Sequence, residues 1–435
     1  MSICVEPKRD CAHVVPPPPP PPPPSAAGGS GGDGYLKEGG KWMKRAEDFP
    51  KMTDTQAHGR LGAEIGRGEW LHPKLKTFCA AVARPGYSDV AAHEYEDDED
   101  TLDKKVSLLA SLMQRSSRTV VYTGAGISTG SGIADYATRS SDADGSSSSS
   151  SSSSTELLPI SPVLAQPTPS HRLLVAMHNT GLVHEWIQQN HDGLAHKAGM
   201  PPAKVNEIHG GLFDPSNPVV SMSGSLRHDL FQRLLRAEGA VIAGPEAADL
   251  VLALGSSLSG MNSDRVVTGC ELRASKGRAL GSCIITLQRT QLDGSSCGLR
   301  IFGRLDHVLG KLASKLGLQA AQQHTLPASL SSSVAAASCA ENDDVFSVPY
   351  DRDGKLQRGT CTTLDLREGA CIRVTDGHFK GEEGQVVGKN REGHYRLVVQ
   401  HAEKKLKVAW PMLLGTWFVH AALEGSIPML PVVNV

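Results

Sequence analysis

The segment RTVVYTGAGISTGSG, residues 118–132, constrains this chain more than any other, because a short run of buried-strand residues passes directly into a glycine-rich turn. Such a turn lets the backbone approach a pyrophosphate and aims free N–H groups at it. Spacing narrows the kind of site. The third glycine of G-x-G-x-x-G would fall at 129, which is Thr129, so the dehydrogenase fingerprint is not met. The pattern G-x-x-x-x-G-K-[ST] is not met either, which disfavours an NTPase phosphate loop. Taken alone, the glycines fit a tight turn as well as a nucleotide site.

Around the turn, the hydrophobic period switches repeatedly. Leu102, Val106, Leu109 and Met113 recur at helical spacing, with Thr101 as the expected N-cap. Residues 183–188, 204–209, 249–257 and 283–288 read as strands, and 228–239 and 306–316 as helices. Strands separated by helices predict an α/β fold, a Rossmann-like parallel sheet with helices on both faces. The expected parallel-sheet domain, of the dinucleotide-binding kind, covers 102–317, with a serine-rich insertion at 140–165 that has no means of packing a core. Residues 1–34 read as a proline- and glycine-rich tail, 35–101 as an extension of the neighbouring domain and 318–345 as a linker. Residues 346–435 read as a small domain and a C-terminal tail, with alternation in period two over 356–414 predicting an all-β unit.

Bulk charge favours no polyanion, since Lys+Arg 44 against Asp+Glu 46 leaves a net charge of −2. The nine cysteines are scattered and never as close as C-x-x-C, which argues against a disulfide framework and against zinc ribbons built from paired thiolates. No metal is therefore expected. The N-terminus has no apolar run of signal-peptide length, and the apolar stretch 410–423 is too short for a spanning helix, so neither secretion nor a membrane is expected.

Four further segments follow the glycine turn in order: QQNHDGL (188–194), EIHG (207–210), ADLVLALGSSL (248–258) and IITLQRTQLD (284–293). Together they resemble the sirtuins, the NAD-dependent protein deacylases. PTPSH (167–171) and the L-Q-x-T-x-x-D pattern make the chain most similar to the class IV branch. The resemblance implies that Gly124, Ala125 and Gly126 cradle the pyrophosphate of NAD, and that Asp135 and Tyr136 lie near the nicotinamide and its ribose. It implies that Gln189 holds ribose hydroxyls, that Asn190 and Asp192 line the nicotinamide pocket, and that Gly255, Ser256 and Ser257 bind the adenosine ribose side. Asn190 and His209 would be the catalytic pair, with His209 as general base; an imidazole suits proton transfer near neutral pH. The implied substrate is an acyl-lysine protein, and the implied products are deacylated lysine, nicotinamide and O-acyl-ADP-ribose.

The chain departs from the family pattern in several places. No cysteine lies between Cys79 and Cys270, so the two C-x-x-C pairs of the family's zinc module are missing and the small domain is expected to be reduced. Ala137 follows Asp135-Tyr136 where the family has arginine, and Ala134 replaces a proline. The family's Phe-Gly-Glu segment has no match in 229–239, and Thr286 stands where the class IV pattern has asparagine.

Residues 367–387 resemble a KOW motif, the core of an SH3-like barrel, with Gly377, Phe379, Lys380, Gly381 and Gly384 at matching positions. Lys380, Lys389, Arg391 and Arg396 offer a local basic face, so an RNA or a protein partner is open. Three functions remain in competition: an NAD-dependent deacylase, a mono-ADP-ribosyltransferase at the same site, and a non-catalytic NAD or ADP-ribose sensor or scaffold. The expected placement is nuclear or cytoplasmic.

Overall fold

A computed structural model describes residues 35–38, 41–44, 51–79, 82–83, 88–133, 161–219, 226–239, 246–318, 344–403 and 406–435. The tail 1–34 and most of the expected insertion and linker lie outside the described residues, as do Asp135 and Tyr136. The chain divides into two units, 1–51 and 52–435. Within the first, Tyr35–Glu38 pairs antiparallel with Lys41–Lys44.

The second unit is built on a six-stranded parallel sheet. Its strands are β1 (Thr119–Thr123), β2 (Glu185–Gln188), β3 (Val205–Glu207), β4 (Leu250–Leu254), β5 (Gly281–Ile285) and β6 (Leu299–Ile301). Their spatial order is β6-β5-β4-β1-β2-β3, the doubly wound order in which the direction of winding reverses between β1 and β4. Alternate side chains enter two separate cores. Val121, Leu250, Leu252 and Leu254 face one, while Val120, Tyr122, Val251 and Ala253 face the other. Helices α2 (Glu99–Arg115), α3 (Pro169–Asn179) and α6 (Leu305–Lys315) supply the first core. Helices α4 (His228–Glu238) and α5 (Arg265–Ala274) supply the second. A sheet buried on both faces favours near-continuous apolar runs such as LVLAL of β4, although β2, β3 and β6 also carry buried Glu185, Asn206 and Arg300.

Helix α2 begins at Glu99 rather than beside Thr101. The carboxylate of Asp98 is the N-cap, accepting from the Thr101 amide at 3.2 Å, and the acidic first turn suits the helix dipole. The Thr101 hydroxyl accepts instead from the Leu71 amide at 3.1 Å.

The segment before α2 is fastened to the sheet. Helix α1 (Asp54–Gly66) runs along β6, and a ribbon pairs Lys74–Thr77 with Glu94–Glu96. The fully buried Lys105 ammonium lies 2.7 Å from Asp97 and donates to the Ala57 carbonyl at 2.9 Å, while Asp97 also accepts from the Phe302 amide. One buried ion pair thus joins α1, α2 and the end of β6. Removing either partner of such a pair typically costs about 3–5 kcal/mol, because the other charge is stranded.

Residues 344–435 form an antiparallel unit. Strands β7 (Val345–Val348) and β8 (Thr362–Asp365) pair as a ribbon. Strands β9 (Cys371–Val374), β10 (Glu383–Lys389), β11 (Tyr395–Glu403), β12 (Leu406–Leu414) and β13 (Val432–Asn434) form a sheet ordered β12-β11-β10-β9-β13. The unit is not purely β, because α7 (Thr416–Leu423) follows β12. Its core also admits Phe213 from the parallel-sheet part of the chain. The Phe213 carbonyl accepts from the Gly415 amide at 3.0 Å. Gly377, at φ 74°, packs so closely on the Ser216 carbonyl that a Cβ would sit 2.0 Å from that oxygen. The two sheets therefore share one contact in which only glycine fits.

Candidate active site

A cavity of about 980 Å³ opens at the C-terminal edge of the parallel sheet, where the winding reverses and ligands of such folds bind. The connections after all six strands contribute to its lining. The turn after β1 meets the turn after β4 backbone to backbone. The Gly126 amide donates to the Gly255 carbonyl at 2.8 Å, and a Cβ on Gly126 would lie 2.8 Å from the Gly255 Cα. Glycine at both positions is thus a packing requirement, and it leaves backbone as the floor of the cavity.

Gln189 extends from the end of β2 and is held at both ends of its amide. Its nitrogen donates to the Tyr122 hydroxyl, and its oxygen accepts from the Ser256 hydroxyl at 3.0 Å. Tyr122 in turn donates to the Asp264 carboxylate at 2.8 Å. Burial, reinforced by that neighbouring negative charge, holds the Tyr122 phenol well above its ordinary range, so it stays protonated.

Ser128 ties the glycine turn to the Asn190–Asp192 segment. Asn190 donates to the Ser128 hydroxyl at 3.0 Å and to the Gly124 carbonyl at 3.1 Å, while Ser128 donates to Asp192 at 2.7 Å. Asp192 also accepts from the Leu194 amide at 3.0 Å. Burial pushes the Asp192 carboxyl up, opposed by those two donors. Among these residues, sequence reasoning passed over Ser128, although its hydroxyl stood inside the motif.

His209 follows β3 and is half-buried at the cavity wall. Its neighbour Gly210 accepts at its carbonyl from the Nδ1–H of His191, 2.8 Å away, so the connections after β2 and β3 are bonded across the cavity mouth. Below them, Glu207 accepts from Gln188 at 2.9 Å, and its carbonyl takes the Asn217 amide at 3.0 Å.

Ala125, Gly126, Gln189, Asn190, Asp192, His209, Gly255, Ser256 and Ser257 all line this one cavity. Gly124 lies behind the wall, its amide donating to the Leu254 carbonyl at 3.1 Å. The segment 286–293 has a structural explanation that the sequence did not disclose. Buried Arg300 bonds Asp293 at 2.8 Å, the Thr286 carbonyl at 3.1 Å and the Gln288 carbonyl at 2.6 Å, while Asp293 also accepts from Thr290 at 2.8 Å. Thr290 and Asp293 thereby fold the loop around Arg300 and present 286–288 to the cavity. Thr286, Leu287 and Gln288 line it there.

After His209, Leu212 and Phe213 turn into the C-terminal core, and α4 starts at His228. Among the described residues, no group of three or more His, Cys, Asp or Glu side chains could hold a metal. No helix among them is long and apolar enough to cross a membrane.

Compared with known proteins, the chain is 33% identical over 117 residues to the NAD-dependent protein deacetylase sirtuin-7 of Bos taurus, covering 27% of this chain and 28% of that protein. It is 34% identical over 128 residues to the NAD-dependent protein deacetylase SRT1 of Arabidopsis thaliana, covering 28% and 26%. Over these stretches the chain is similar to sirtuins. It spans less than a third of the length of these two relatives. A solved structure of Sir2 bound to acetylated peptide is similar at 20% identity and a TM-score of 0.38, covering 49% of this chain and 99% of that one. No protein-family model matches. The segments singled out in the sequence are brought to one cavity by five separate strand ends.

Proposed function

We propose that this chain is a divergent NAD-dependent protein-lysine deacylase of the class IV type, releasing nicotinamide and O-acyl-ADP-ribose. The observation that carries the reading is the convergence of Gln189, Asn190, Asp192 and His209 on one cavity with the apposed glycine turns at 124–126 and 255–257.

The residues present fit NAD. The glycine floor offers close backbone approach to a pyrophosphate, with no side chain in the way. Gln189 is fixed by Tyr122 and Ser256 in a position to meet ribose hydroxyls. Asn190, whose two N–H donors are taken by Gly124 and Ser128, presents its Oδ1 beside the Asp192 carboxyl, an acceptor set suited to the NH2 of a carboxamide such as nicotinamide's. Bound NAD supplies a glycosidic carbon that becomes electrophilic as nicotinamide departs. The chain's own part is to hold both halves of that bond, exclude water from it and take a proton at the imidazole of His209. Asp135 and Tyr136 complete the proposed cofactor contacts.

Acyl-lysine proteins are the proposed substrates. The 346–435 unit, with its KOW-like segment, is proposed as an SH3-like module for an RNA or protein partner, with a nuclear or cytoplasmic location. The proposed arrangement places the NAD-binding domain at 102–317, preceded by the extension 35–101.

The test is incubation with NAD and an acetyl-lysine peptide library, following nicotinamide and O-acetyl-ADP-ribose by mass spectrometry beside His209→Ala. Release by the natural chain and none by the variant is expected. Equal release by both overturns the assigned base. Transfer of ADP-ribose to protein would favour the transferase, and ADP-ribose binding without turnover the sensor.

A further inference from the structure

The acidic run Glu94–Asp100 precedes α2, and all but one of its carboxylates have a partner. Glu96 lies 3.4 Å from Lys76 and from Arg304; Asp97 pairs with Lys105 at 2.7 Å; Asp98 caps α2. Glu99 pairs with Lys311 at 2.9 Å and Asp100 with Lys104 at 2.6 Å. Glu94 alone in the run has no hydrogen bond or ion pair to its carboxylate among the described residues, and it lines the cavity. A carboxylate left bare at the wall of a nucleotide-sized cleft is out of place beside a dianionic pyrophosphate. It is well placed for a donor.

The fold says which part of a dinucleotide lies there. The glycine turns close together at the ends of β1 and β4 mark the pyrophosphate. The reactive set, Gln189, Asn190, Asp192 and His209, follows β2 and β3 on one side. On the other side lies β5, whose trailing residues 286–288 are fixed by Arg300. Glu94 is bridged backbone to backbone with Gln288, and the Tyr95 amide donates to the Leu287 carbonyl at 2.8 Å. Both ends of the peptide around Glu94 are thus anchored to the β5 side, where the adenosine half must extend. Its ribose offers two adjacent hydroxyl donors, and a half-buried carboxylate can accept both.

We infer that Glu94, contributed by the segment before the parallel-sheet domain, is the acceptor for the adenosine ribose diol and selects NAD over its 2′-phosphorylated form. The inference rests on the nucleotide reading of the cavity. A 2′-phosphate would replace one donor by two negative charges against the carboxylate, a like-charge contact that rejects the wrong ligand rather than merely failing to attract it. Because strand pairing fixes the backbone on either side, little ordering is needed on binding.

Calorimetric titration of the natural chain, Glu94→Gln and Glu94→Ala with ADP-ribose, NAD, NADP and deamino-NAD tests this. Unliganded melting temperatures serve as the folding control, and they should agree, since Glu94 contacts no described charged partner. The natural chain should bind ADP-ribose and NAD, and NADP at least about tenfold more weakly. Glu94→Ala should lose about tenfold or more for NAD, the usual penalty for a lost charged hydrogen bond, and should narrow the NAD-to-NADP gap. Glu94→Gln should bind NAD at an intermediate strength and tolerate NADP best. Equal binding of NAD by the natural chain and Glu94→Ala overturns the role of Glu94 while leaving the nucleotide site standing. Loss confined to the comparison with deamino-NAD would move the contact to the adenine amine and overturn the ribose assignment. Failure of the natural chain to bind any of the four would overturn both the inference and the nucleotide reading beneath it.

Discussion

The indole of Trp417 stacks on the imidazole of His196, with 5.1 Å between centroids and 18° between planes. His196 lies four residues beyond Asp192, in the short helix Leu194–Lys197, and its Nε2 is 3.7 Å from Glu207, two residues before His209. The C-terminal unit therefore bears directly on the framework beneath the cavity. Phe213 and His394 meet the same indole edge-on at 5.1 and 4.9 Å.

Trp417→Ala removes the common member of this cluster, which is 4% exposed. Truncating so large a buried aromatic costs about 3–5 kcal/mol, read as a lower denaturant midpoint. Because the cavity formed lies against Phe213 and His196, ligand affinity for the cavity should fall with stability. Trp417→Phe, which keeps stacking area, should recover part of both. A midpoint unchanged in Trp417→Ala would mean that the two sheets are not energetically joined there.

How much of this was legible beforehand differs from element to element. The buried strands and the turn at 124–126 stood out because a two-sided sheet leaves near-continuous apolar runs and a backbone-to-backbone approach leaves glycine. Helices α4 and α6 showed a clear 3.6-residue period. Helix α3 was legible in principle, since Thr168 caps it through a box closed by His171 and Pro169 opens it, but PTPSH was read only as a family mark. Helix α7 failed differently. Trp417, Phe418, Val419, Ala421 and Ala422 are apolar nearly all round, which signals a fully buried helix, and the stretch was weighed only as a membrane span. The seating of Phe213 in a second core, the reach of Arg300 under 286–288 and the position of Glu94 are long-range consequences of folding, which no local period encodes.

Tyr122→Phe tests the orientation of Gln189. The hydroxyl receives the Gln189 amide and donates to Asp264, so its loss leaves one buried acceptor short of a donor and frees one side of the glutamine amide. An unfolding free energy lower by about 1–3 kcal/mol is expected. ADP-ribose affinity should fall several-fold, and Gln189→Ala made on top of Tyr122→Phe should add little further loss, because the two act as one unit. Fully additive losses would show that Tyr122 does not act through Gln189.

Acid should loosen the seam between the two sheets through His394. Its Nδ1 accepts from the Thr416 amide at 3.3 Å and its ring packs on Phe213 and Trp417. Burial, helped by the nearby Lys197 ammonium, lowers its pKa from 6.5 to about 4. The folded state thus resists a proton that the unfolded chain accepts readily. The sign follows: between pH 6.5 and about 4 the unfolded chain binds more protons, so stability is intact above 6.5 and drains away as the pH falls. His394 contributes at most roughly 3 kcal/mol to that loss, at about 1.4 kcal/mol per unit. His58, lowered to about 4, and His171, lowered to about 3, act in the same direction, so the natural chain loses stability from several sites at once. His394→Asn isolates one share, because its side-chain oxygen can still accept from Thr416 but gains no proton. Unfolding midpoints measured from pH 7.5 to 4.5 should show the variant less stable at neutral pH and the gap closing as the pH drops. A gap that stays constant would mean that the imidazole of His394 titrates alike in the folded and unfolded chain.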